Sequence, residues 1–103
     1  MKQITKNKIA TIEELREFLK EFFQGKEVEV YLFGSRARGD ASPASDIDLA
    51  IVSDQDLSED LAILREILEE SLLPHKVDLV DLKHAPYLRE KVEKEGKKWV
   101  TKN

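Results

Sequence analysis

Cysteine is missing altogether from this 103-residue chain. Its absence rules out disulfides, thiolate metal centres and cysteine nucleophiles, and it fits a reducing compartment. Long apolar runs are missing too. No stretch approaches the length that crosses a bilayer and no secretory leader pattern is present, so the sequence reads as soluble and cytoplasmic, with no membrane partner. A basic excess is lacking as well: 17 Lys and Arg stand against 21 Asp and Glu, for a formal net charge of −4. That argues against stable, general nucleic-acid binding. There are no internal repeats and no low-complexity tracts. The length suits one small domain, residues 1–103, that buries roughly two-thirds of its unfolded surface and leaves no room for a second substrate-recognition domain.

What is present alternates between two periodicities. After a polar lead-in over residues 1–10, Thr11 and Glu14 have the spacing of a capping box. Ile12, Leu15, Phe18, Leu19 and Phe22 then recur at helical spacing, with Gly25 as a stop. Residues 28–33 read as a strand, with Val28, Val30 and Leu32 on one face and Tyr31 and Phe33 on the other. A turn and short helix follow over 35–45, punctuated by Gly39 and Pro43. Residues 46–52 form a second strand, apolar on both faces in its later half. Ser58 is placed to cap a long helix with Leu61, Leu64, Leu68 and Leu72 as its stripe, Ile63 and Ile67 alongside, and Pro74 at its end. Residues 76–82 form a third strand and 86–95 a last helix with Leu88 and Val92 inward. Trp99 and Val100 form a short edge strand or dock on the core; Tyr87 and Trp99 cover the sheet edge. Lys91, Lys94, Lys97, Lys98 and Lys102 read as a solvated helix face, and four of the five could equally meet an acidic partner. The helix between strands two and three makes those strands parallel, whereas the short link between strands one and two makes them antiparallel. The expected fold is α+β: a small mixed sheet with helices packed on it.

The chemistry concentrates in residues 33–49, Phe-Gly-Ser-Arg-Ala-Arg-Gly-Asp-Ala-Ser-Pro-Ala-Ser-Asp-Ile-Asp-Leu. Gly34 and Ser35 close an apolar strand. Asp46 and Asp48 alternate at the start of the next, so both carboxylates face one spot near the Gly-Ser turn. Paired carboxylates suit Mg²⁺, a hard ion that shares itself with substrate phosphates. A turn of small residues lets backbone N–H groups approach those phosphates. The pattern points to metal-assisted phosphoryl or nucleotidyl transfer. His75 and His84 have no metal-ligand spacing and read as loop histidines.

Gly34-Ser35, ten residues, then Asp46-Ile47-Asp48 resembles the signature of the DNA polymerase beta-like nucleotidyltransferase superfamily. The fuller strings Gly-Ser-Arg-Ala-Arg-Gly and Ser-Asp-Ile-Asp-Leu are similar to its minimal nucleotidyltransferase branch, over roughly residues 11–100. The resemblance implies that Asp46 and Asp48 hold one or two Mg²⁺ ions and that an acidic residue on the third strand completes the set. Asp78 occupies that position and is preferred to Asp81, which alternation places on the opposite face. It could ligate metal and act as general base. Gly34 and Ser35 would contact the β- and γ-phosphates. Arg36 and Arg38 are candidates for phosphate or partner contact, Arg36 slightly ahead, with a solvated position or an Asp40 salt bridge as the plainer role of each.

The implied activity is transfer of a nucleoside monophosphate, AMP from ATP, to an acceptor hydroxyl. Stand-alone members of this branch are commonly antitoxins of HEPN-domain ribonuclease toxins, and some add AMP to a toxin tyrosine. Two other readings stay open: a binding module that masks a toxin sterically, and nucleotidylation of a small molecule.

Overall fold

In a computed structural model of the chain, residues 9–39 and 45–100 are described. The lead-in over 1–8 and the segment 40–44, with Asp40 and Pro43, lie outside them, as does Lys102. The elements run α1 (Ile12–Phe22), β1 (Glu29–Phe33), α2 (Ser35–Arg38), β2 (Ile47–Val52), α3 (Ser58–Glu69), β3 (Val77–Asp81), a 3-10 turn (Pro86–Leu88), α4 (Arg89–Glu95) and β4 (Lys97–Val100). The strands form one mixed sheet in the order β3-β2-β1-β4. β1 pairs antiparallel with both β2 and β4, and β2 pairs parallel with β3 across the α3 crossover. Among the described residues no helix is long and apolar enough to cross a membrane.

Period-two alternation sorts the strand residues between two cores. Val28, Val30, Leu32, Ile47, Leu49, Ile51 and Leu79 point to the face covered by α1 and α3, where Leu15, Leu19, Phe23, Leu61, Leu64 and Ile67 complete the main cluster. The other face carries a smaller cluster of Phe33, Ala50, Leu82 and Val92, flanked by Tyr31, Val52, Val80 and Leu88. α1 begins as its sequence predicts. Thr11 Oγ1 accepts from the Glu14 N–H (3.1 Å), and Glu14 Oε1 accepts from the Thr11 N–H (3.1 Å).

α3 departs from the expectation at both ends. Ser58 is not its cap but its first helical residue. Asp56 does the capping work from two positions earlier, its Oδ1 accepting from the Ser58 N–H (3.0 Å) and hydroxyl (2.7 Å). Those two bonds hold the Asp56 carboxyl below its ordinary pKa. The helix stops at Glu69, well short of Pro74. Its inward stripe is Leu61, Leu64 and Ile67, while Ile63 and Leu72 are exposed. Ile63 follows Leu61 by two residues, about 200° around the helix, which puts it on the outer side. Leu72 lies past the helix end, where its N–H donates to the Ile9 carbonyl (2.9 Å) and ties down the end of the lead-in. Ile9 itself is buried.

β4 realises the predicted edge strand, with Trp99 and Val100 buried in the main cluster. Tyr87 does not cover the sheet; it is 80 % exposed. The opposite edge, β3, is partly closed by α3, where Arg65 Nη2 donates to the Leu79 carbonyl (3.1 Å).

Candidate active site

Strand register builds the site. Asp48 sits opposite Phe33 on β1 and opposite Asp78 on β3. Paired positions on neighbouring strands point to the same face, so Asp78 and Asp48 lie side by side, roughly 5 Å apart in backbone spacing. Gly34, just beyond Phe33, completes the row. It has φ +82°, a conformation that L side chains rarely adopt, and a Cβ there would overlap Asp48 Oδ2. Only glycine lets the turn approach the Asp48 carboxylate so closely.

Ser35 opens the four-residue α2, whose N–H groups at Ala37 and Arg38 both donate to the Gly34 carbonyl (3.1 Å each). Gly39, at φ +87°, stops α2. The Asp48 carboxyl is pushed above its ordinary pKa, first by burial, then by the charges of Asp78 and Asp46, with Lys91 and Arg38 opposing. Asp46 is exposed, immediately ahead of β2. Three carboxylates thus interact at one sheet end, the condition that a cation relieves.

Among the described residues no group of three His, Cys, Asp or Glu side chains forms a ready-made metal cage. The oxygen-only donor set suits Mg²⁺, which typically takes one or two carboxylates and completes its shell with water and substrate phosphate. A cleft of about 380 Å³ opens beside Asp78, at the outer edge of β3, lined also by Arg65, Glu69, His75 and Lys76.

Asp81 is turned to another task. It pairs with Ile51, on the main-core face. Its Oδ1 accepts from the Lys83 N–H (3.0 Å) and its Oδ2 lies 3.8 Å from His84 Nε2, closing the turn after β3. The two arginines diverge. Arg36 Nε and Nη2 both donate to the Ser45 carbonyl (3.2 and 3.0 Å), and Nη2 also donates to His75 Nδ1 (3.1 Å). Arg36 therefore ties α2 to the start of β2 and to the loop before β3. Arg38 Nη1 instead donates to both oxygens of Glu95 (3.3 and 3.1 Å). Glu95 Oε1 also accepts from the Gly34 N–H (3.2 Å).

Sequence reasoning missed the roles of Glu95 and His75 and the pairing of Lys91 with Glu95. The signal for that pairing was available: the two stand at i and i+4 on α4. His75 had none, because its partner Arg36 is far away in sequence.

The nucleotidyltransferase domain family matches residues 12–102. The chain belongs to this family. Among relatives of this nucleotidyltransferase domain, MntA of Haemophilus influenzae, provisionally named a protein adenylyltransferase, is 50 % identical over 54 residues. That match covers 50 % of this chain and 46 % of the relative, so this chain spans just under half of that protein's length. MJ1379 of Methanocaldococcus jannaschii, with a similar provisional name, is 33 % identical over 78 % of this chain and 82 % of its own. In structure, the domain is similar to a chain of a toxin–antitoxin crystallised with AMP-PNP, at TM-score 0.61 and 27 % identity, over 85 % of this chain and 74 % of that one. A chain of an MntA–HpeT toxin–antitoxin mutant matches at TM-score 0.51 and 32 % identity, over 93 % and 72 %.

Proposed function

We propose that this chain, as one minimal nucleotidyltransferase domain, transfers AMP from ATP to a hydroxyl of a protein partner, a tyrosine of a HEPN-family toxin, and so acts as an antitoxin. The observation that carries the reading is the row Asp78–Asp48–Gly34 across three adjacent strands. In-line displacement needs the incoming oxygen and the leaving group on opposite sides of the α-phosphorus. A row with a carboxylate at one end and a phosphate-accepting turn at the other supplies both sides. The toxin–antitoxin neighbours, one of them with AMP-PNP, support the partner and nucleotide classes.

Asp46, Asp48 and Asp78 would hold the divalent ions, two Mg²⁺. Bound there, they neutralise phosphate charge and favour departure of pyrophosphate. Asp78 takes the proton of the acceptor hydroxyl. The freed oxygen bonds to the α-phosphorus as the bond to pyrophosphate breaks. Ser35 presents its N–H and hydroxyl to the leaving phosphates, while Gly34, whose own N–H is taken by Glu95, keeps the turn in contact with Asp48. Of the two arginines, Arg38 is the one we assign to the nucleotide side, because its partner Glu95 also bonds the Gly34 N–H and so places Arg38 at the Gly-Ser turn, whereas Arg36 is directed to Ser45 and His75. The cytoplasm, where ATP and Mg²⁺ are supplied, is the compartment this reaction needs.

The test is incubation of the partner with this protein, ATP and Mg²⁺, followed by mass spectrometry. An AMP-sized increase on a partner tyrosine, lost in EDTA and reduced at least 100-fold in Asp46→Asn and Asp48→Asn while circular dichroism is unchanged, is the expected outcome. Toxin inhibition without any mass change, equally strong in Asp46→Asn, would replace catalysis by steric masking. Labelling of a small hydroxyl compound with no partner present would move the acceptor class.

A further inference from the structure

α4 presents two different lysine–glutamate pairs. Lys94 and Glu90 face outward, 3.9 Å apart and 76 % and 82 % exposed. Lys91 and Glu95 are also one turn apart, with Lys91 Nζ 4.0 Å from Glu95 Oε1; the Lys91 side chain is half-exposed, at 51 %, and its ammonium is turned toward the shielded carboxylate. The Glu95 side chain is only 17 % exposed. Its Oε1 accepts from the Gly34 N–H (3.2 Å), and Arg38 Nη1 donates to both its oxygens. One carboxylate therefore gathers two cations and a backbone donor at the Gly-Ser turn.

The charge balance asks for such cations. A triphosphate brings several negative charges to a place that already holds Asp46, Asp48 and Asp78. Both Lys91 and Arg38 already act on Asp48 as favourable charges. They stand beside the turn that would take the leaving phosphates, and strong charge-assisted bonds to phosphate are what lysine and arginine supply.

We propose that Lys91, together with Arg38, binds the terminal phosphates of the nucleotide, and that Glu95 is the positioning residue holding both cations and the Gly34 peptide in place. The proposal rests on the nucleotidyl-transfer reading above. Glu95 carries the same sign as the phosphates and acts through its neighbours. Removing its charge loosens Lys91 and Arg38 while an amide oxygen at the same position can still accept from Gly34.

Calorimetry with Mg²⁺ and a non-hydrolysable ATP analogue, and in parallel with AMP, tests this. Lys91→Gln should raise the Kd of the triphosphate about tenfold and leave AMP binding unchanged. In the transfer assay it should raise KM and leave kcat within about twofold. Lys94→Gln, the outward counterpart, should change neither. Glu95→Gln should weaken triphosphate binding about fivefold, and adding it to Lys91→Gln should cost less than the two separate effects combined, because the residues act as one unit. Equal behaviour of Lys91→Gln and Lys94→Gln would overturn the proposal. So would equal weakening of AMP and triphosphate by Lys91→Gln, or tighter triphosphate binding by Glu95→Gln. Asp48→Asn keeps the two levels apart. If it left Mg²⁺-dependent binding intact while Lys91→Gln weakened the triphosphate, the metal site would fall and the phosphate contact would stand.

Discussion

One face of the sheet buries Val30, Leu32, Ile47, Leu49, Ile51 and Leu79 beneath two long helices; the other buries Phe33, Ala50 and Leu82 beneath the single short α4. The difference extends to charge. On the first face the pairing of β2 with β3 places apolar residues together until Asp81, which turns into a loop. On the second, the same two strands set Asp48 beside Asp78. The large apolar face can supply the stabilisation that lets the small face carry like charges in contact. Strain at a functional site is sustained only where the surroundings over-determine it.

Four substitutions, one of them a control, would break or sharpen that contrast. Leu49→Ala, in the middle of the main core, has the largest expected effect, a loss of about 2–5 kcal/mol in a denaturation experiment, because a fully buried side chain leaves a cavity among close-packed neighbours. If it cost no more than a surface substitution, the assignment of stability to that face would be wrong. Gly34→Ala should come next, at about 1–3 kcal/mol, since it combines a positive φ with overlap against Asp48. Gly39→Ala, also at positive φ but with open space around it, is the control and should cost less. Equal costs at the two glycines would mean that contact with Asp48 adds nothing.

The smallest effect should have the opposite sign. The Asp48 carboxyl is raised above its ordinary value, so the folded state holds that proton more tightly than the unfolded one. The ionised form therefore weakens the fold at neutral pH, and this penalty disappears as pH falls through the raised value and below the ordinary carboxylate range. In metal-free buffer at pH 7, Asp48→Asn should raise Tm by roughly 2 °C, and the gain should vanish near pH 3.5. Saturating Mg²⁺ with nucleotide should reverse the order, because only the wild type then gains from binding. A variant less stable than wild type at pH 7 without metal would contradict the account of a charge-crowded face.

Much of this architecture was legible in local patterns. Thr11 and Glu14 announced α1, alternation separated Val30 and Leu32 from Tyr31 and Phe33, and connection length decided which strands run parallel. Alternation preferred Asp78 to Asp81 once the family resemblance asked for an acidic residue on the third strand, but the row Asp78–Asp48–Gly34 became visible only in the strand register. What the pattern could not carry was anything decided by a single hydrogen bond or by distant pairing. Serine is a good cap, yet Asp56 was available and bonds both Ser58 donors. Tyr87 looks like a covering aromatic, but the 3-10 turn holds it outward. The separate fates of Arg36 and Arg38 depend on Ser45, His75 and Glu95, and the two arginines alternate on a helix only four residues long. Lys91 stood among similar lysines, and its pairing with the shielded Glu95 is what distinguishes it from Lys94, which pairs with the exposed Glu90.

The arginine that reaches from α3 to the Leu79 carbonyl has a consequence for how the molecule keeps to itself. An open outer strand is a template onto which another extended chain can add, copy upon copy. Arg65 occupies one of the acceptors that such an addition would use and places a fixed positive charge across its path. In a protein with so short a sheet, one blocked carbonyl removes a sizeable part of the available ladder. The edge nearest Asp78 is thereby left suited to side-chain docking and poorly suited to fibril-like stacking.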